Sequence, residues 1–96
     1  MRRALAAAIG VASIATAVVA SAEPPAGAVA CSGCHPASTR VTSPVLRLHG
    51  LEQAAIVRAM QDFRSGQRAG TVMDRIAKGF TDAEIQAIAA WYATQR

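Results

Sequence analysis

The sequence predicts an all-α domain of three to four short helices, and three observations carry that expectation. Apolar residues recur at helical spacing in residues 51–66 and 80–96. No stretch alternates polar and apolar residues as a half-buried strand would. The connections are long and rich in Ser, Thr, Pro and Gly, so they read as loops that wrap something.

The chain begins Met1-Arg2-Arg3, continues uncharged over residues 4–19, and then reads "ASAEPP". A basic start, an apolar stretch and small residues at Ala20 and Ala22 form the pattern of a secretory signal peptide, cut between Ala22 and Glu23. The apolar stretch is short of the ~20 residues of a spanning helix and is Ala-rich, which argues for cleavage over anchoring. Two units follow: residues 1–22 as a cleaved leader and residues 23–96 as one domain, exported to the periplasm. The leader removes Arg2 and Arg3, leaving eight basic residues against six acidic ones. A formal +2 on scattered arginines, with little aromatic interleaving, does not point to nucleic acid and reads as solvated faces.

The first helix candidate covers residues 26–32, and residues 36–50 form a loop. In the next segment Ile56, Met60 and Phe63 fall at i, i+4 and i+7, flanked by Leu51 and Val57, with Gly66 as the C-terminal cap. A second loop spans residues 67–79, with one helical turn at residues 74–77. The last helix has the clearest signals. Thr81 and Glu84 form a capping box, Phe80 and Ile85 a hydrophobic staple, and Ile85, Ile88, Ala89 and Tyr92 one apolar stripe. A domain of 74 residues has a marginal core and needs a staple. A disulfide across three positions would constrain little of the chain.

Cys31, Cys34 and His35 form the motif CSGCH. A redox dithiol would place CxxC at a strand-to-helix junction, and this chain has no strand pattern. Structural zinc needs four ligands, and adjacent Cys34 and His35 cannot easily both reach one tetrahedral ion. C-x-x-C-H is the attachment sequence of c-type haem. Two thiols about one turn apart form thioethers to neighbouring vinyl groups, and the following imidazole turns toward the iron. One covalent haem would then fill the missing core. For the sixth ligand, Met60 sits on the apolar stripe and reads as packing, whereas Met73 lies in the second loop, off any stripe. Met73 is therefore the axial candidate. His49, at the end of the first loop, is the competitor and is expected to be exposed. His/Met ligation suits electron transfer, while an open position would suit a haem sensor. No Ser/His/Asp set, carboxylate pair or phosphate loop appears, so the chain alone reads as an electron carrier and not an enzyme.

The motifs CSGCH, GLEQAAIVRAMQDFRSGQR and TVMDRIAKGFTDAEIQAIAAWYA together resemble class I c-type cytochromes of the short bacterial group that includes cytochromes c4 and c553. Within that group the likeness is to the cytochrome subunit of flavocytochrome c sulfide dehydrogenase, through TVMDRIAKG before a capped final helix. The resemblance covers nearly all of residues 23–96. It implies the small cytochrome c fold around one haem, thioethers at Cys31 and Cys34, and axial ligation by His35 and Met73. It also implies a carbonyl, matched to Pro44, accepting the axial imidazole N–H. A crossing of the first and last helices, Gly27 or Ala28 against Trp91 or Tyr92, follows from it as well. The implied partner is a flavoprotein (FAD) sulfide dehydrogenase subunit, with a free shuttle between respiratory or photosynthetic complexes as the alternative. The chain departs from the family pattern at Pro36, where Gly is usual after the His, and at Asp74, which sets a carboxylate beside Met73.

Overall fold

The computed structural model describes residues 9–15 and 23–96. The leader expected over residues 1–22, with its cleavage site, lies outside the described residues except for residues 9–15, which are exposed and without regular structure. The rest is all-α: α1 (Ala28–Cys31), α2 (Gln53–Ser65), α3 (Met73–Ala77) and α4 (Asp82–Thr94). α2 packs on α3 and α4, and α1 packs on α4. Among the described residues there is no strand and no helix long and apolar enough to cross a membrane.

α4 is built as its local signals require. The Thr81 side chain accepts from the Glu84 N–H at 3.2 Å, and Ile85, Ile88, Ala89 and Tyr92 are the residues α4 buries. α2 ends at Gly66, whose φ of 83° is the left-handed conformation favoured in a helix-ending glycine. α2 buries Ile56 and Val57, while Met60 packs against the core from its margin. Arg64 joins α2 to the start of α4, donating to the Phe80 carbonyl at 3.2 Å and pairing with Asp82.

The expected helix crossing is present and more specific than the sequence suggested. The Tyr92 hydroxyl donates to the Ala28 carbonyl at 2.5 Å. Gly27 meets Phe80 instead of Trp91 or Tyr92, and a Cβ there would lie 2.7 Å from the Phe80 ring. The core remains thin: Tyr92 and Ile85 are the largest fully buried side chains among the described residues. Val45 and Leu46 in the loop, and Val72 and Ile76 at α3, are exposed, so two pairs of apolar side chains lack cover among the described residues.

Candidate cofactor site

The site begins where α1 ends. The coil tightens after Cys31 through bonds from the Ser32, Gly33 and Cys34 N–H groups to the carbonyls three residues before them. The His35 N–H closes the turn on the Cys31 carbonyl at 2.9 Å. Cys31, Cys34 and His35 therefore sit on consecutive steps of one compact turn. Both thiols are free; Cys34 is exposed and Cys31 half-buried. Burial pushes the Cys31 thiol up, against hydrogen bonds from the backbone and Tyr92 that act the other way.

His35 is half-buried, and its Nδ1 bonds the Leu46 carbonyl. A carbonyl only accepts, so Nδ1 must carry a proton, and in the neutral imidazole Nε2 then keeps its lone pair. A ligand imidazole is normally held this way, with the outer N–H fixing ring orientation and raising basicity. The acceptor corrects the assignment to Pro44. Ser43 Oγ accepts from the Val45 N–H at 3.1 Å in a local turn at Pro44, and the carbonyl that reaches the imidazole comes two residues later. No side-chain pattern could have identified Leu46, because every residue carries a carbonyl.

Met73 stands at the first position of α3 and is half-buried, so the expected loop residue is in fact a helix start. Asp74 follows it, its carboxylate accepting the Arg75 N–H at 3.0 Å. Met60, by contrast, packs against the core cluster. His49 is not exposed as expected. Its ring lies edge-on to Trp91 and Tyr92, at centroid distances of 6.4 and 5.2 Å, and its Nδ1 is buried without a hydrogen-bond partner among the described residues. The Gly50 N–H bonds the Tyr92 carbonyl at 3.0 Å, which draws the end of the loop onto α4 and carries His49 inward.

These residues fit a haem on two counts. The donor set offers two free thiols and an imidazole whose Nε2 has no hydrogen-bond partner among the described residues. Four of the exposed apolar side chains lie on the segments that carry the His35 acceptor (Val45, Leu46) and Met73 (Val72, Ile76). A flat apolar cofactor would take that surface out of water.

No protein-family model matches the chain. It is 38% identical over 64 residues to the cytochrome subunit of sulfide dehydrogenase of Chlorobaculum tepidum, covering 67% of this chain and 58% of that protein. It is 32% identical over 65 residues to cytochrome c-552 of Acidithiobacillus ferridurans, covering 68% of this chain and 28% of that one. It is 35% identical over 65 residues to the thiosulfate dehydrogenase electron acceptor of Stutzerimonas stutzeri, covering 66% and 30%. The chain thus spans little more than half of the first relative and under a third of the other two. With a CxxCH turn whose imidazole is tethered at Nδ1 and uncommitted at Nε2, these matches show that the chain belongs to the c-type cytochromes.

Proposed function

We propose that residues 23–96, released from a leader of residues 1–22, act in the periplasm as a one-haem electron carrier. Cys31 and Cys34 would hold the haem by thioethers, and His35 Nε2 and the Met73 thioether would take the two axial positions. The bound haem supplies a one-electron ferric/ferrous couple. The chain's own work is to hold and shield. The α1 turn fixes the two thiols and the imidazole in one rigid unit, and the Leu46 carbonyl holds the His35 ring in one tautomer. The apolar side chains of Val45, Leu46, Val72 and Ile76 exclude water, which limits the reorganisation that accompanies a change of charge. With the His35 imidazole and the Met73 thioether both holding the iron, the chain would carry electrons and leave catalysis to its partner.

The observation that carries this reading is the His35–Leu46 bond, since it orients an imidazole as a metal ligand is oriented. Its test is production of the full chain in a bacterium with the c-type haem attachment machinery. The product should be red, heavier than the 23–96 polypeptide by one haem, and unreactive toward thiol alkylation. A colourless product with both thiols alkylated rejects it.

As electron donor we propose a flavoprotein that oxidises sulfide. The relative with the highest identity given above is named as a sulfide dehydrogenase subunit. A relative named as an electron acceptor for thiosulfate dehydrogenase favours a second reading, a carrier not fixed to one enzyme. Gel filtration of the native protein separates them: co-elution with a flavoprotein supports the subunit, and a lone monomer the shuttle.

A further inference from the structure

Read as sequence, Arg47 is one of several scattered surface arginines. In the fold it is half-buried and spans the neck of the loop over residues 36–50. Its Nε donates to the Ala37 carbonyl at 2.5 Å and its Nη1 to the His49 carbonyl at 3.4 Å. Ala37 is two residues after His35, and Arg47 follows Leu46 directly. The Arg47–Ala37 bond is therefore the neighbouring rung to the His35–Leu46 bond across the same neck. Within the loop, the Ser38–Arg40 and Ser43–Val45 bonds are local turns and do not join its ends.

We propose that Arg47 is a positioning residue for the axial imidazole. Its guanidinium ties the start of the loop to its end, holds the Leu46 carbonyl against the His35 ring N–H, and so sets the reduction potential. The inference rests on the reading of His35 as the axial ligand. A firm N–H···O=C bond makes the imidazole a more basic ligand, and a more basic ligand favours the ferric ion. Slackening the neck weakens the bond and shifts the couple toward the ferrous form. The planar fork of Arg serves two carbonyls at once, whereas the ammonium of Lys is a point charge on a flexible stem.

The sign of the effect distinguishes this role from a simple charge effect. Removing a positive charge near the iron favours the ferric form and lowers the potential. Losing the clamp raises it. Arg47→Lys keeps the charge and loses the fork. In the holoprotein, Arg47→Lys should raise the potential by about a three- to tenfold shift in the redox equilibrium, the upper end being ~59 mV for one electron. The His35 ring N–H should exchange with solvent faster by a similar factor, with the haem absorption spectrum unchanged. Arg47→Gln should also speed that exchange. A Lys variant with wild-type potential and wild-type exchange overturns the proposal, as does one that loses only thermal stability. Should neither variant fold, the wild-type holoprotein decides: an Arg47 Nε–H that exchanges slowly, together with the His35 ring N–H, supports the clamp, and a freely exchanging one overturns it. A wild-type chain without haem, or with haem not bound by His35, rejects the underlying reading as well and is recognised before any variant is made.

Discussion

The phenol of Tyr92, near the end of α4, donates a 2.5 Å hydrogen bond to the carbonyl of Ala28, the first residue of α1. Sixty-four positions separate the two residues, and the bond is buried. It closes the last helix on the turn that presents Cys31, Cys34 and His35, so the stability of α4 supports that turn directly. α1 has only four residues and could not hold that turn in place by itself.

Tyr92→Phe should keep the ring packing and leave the Ala28 carbonyl without its donor, costing about 1–2 kcal/mol in urea unfolding of the holoprotein at neutral pH. The pH dependence follows from the same burial, which pushes the Tyr92 phenol up, with Cys31 adding to the shift when its thiol is unattached. A raised folded value means that the protonated form is favoured in the fold. The contribution is therefore complete below about pH 10, the phenol's ordinary value, and is lost as pH climbs through the higher folded value. The Phe variant should show less alkaline loss between pH 9 and 11 than the wild type. Equal alkaline slopes would count against Tyr92 as the group responsible.

Gly27→Ala tests the other half of the helix crossing. Gly27 has φ 86°, and a Cβ would sit 2.7 Å from the Phe80 ring. The backbone cost of a left-handed alanine is about 1–2 kcal/mol, and displacing Phe80 adds to it. A loss of about 2 kcal/mol or more is expected, with lower yield of holoprotein. A variant as stable as wild type would mean that α1 does not dock on α4 in this way.

The parts of the fold that were legible in the sequence are those fixed by short-range chemistry. Thr81, Glu84 and the Ile85/Ile88/Ala89/Tyr92 stripe lie within one helix, so spacing alone specified both its start and its buried face. The same holds for CxxCH, whose three candidate side chains lie on one turn. What was not legible depends on where a loop lands. Leu46 contributes a main-chain oxygen, which leaves no mark on side-chain pattern. His49 was expected in solvent and lies against Trp91 and Tyr92, because the Gly50–Tyr92 backbone bond pulls the loop end inward. Arg47 was indistinguishable from other arginines until Ala37 stood opposite it.

Asp74→Asn addresses the carboxylate that follows Met73. Its Oδ1 accepts the Arg75 N–H at 3.0 Å, and the amide oxygen of Asn can accept the same bond, so the start of α3 should be preserved. The substitution then removes one negative charge and little else. A nearby anion favours the ferric form, so the potential should rise, by less than the ~59 mV that marks a tenfold shift for one electron. The rise should shrink with added salt in proportion to how far the carboxylate is solvated. A fall in potential, or a lost ligand spectrum, would show that Asp74 holds α3 in place instead of acting through its charge.

Met73 and Met60 give opposite expectations from the same residue type. Met60 packs against the core from α2. Met60→Leu nearly conserves volume and should cost less than about 1.5 kcal/mol, with the ferric absorption spectrum intact. Met73 begins α3 between exposed Val72 and Asp74, outside that core. Met73→Ala should abolish the thioether–iron charge-transfer band, lower the potential and let the reduced protein bind carbon monoxide at neutral pH, because a thioether ligand favours the ferrous ion and blocks the sixth position. The pairing of results matters more than either alone. If Met60→Leu loses the band and Met73→Ala keeps it, the ligand comes from α2 and α3 is only a packing element. If the wild type already binds carbon monoxide, neither thioether coordinates and the protein senses a ligand instead of carrying electrons.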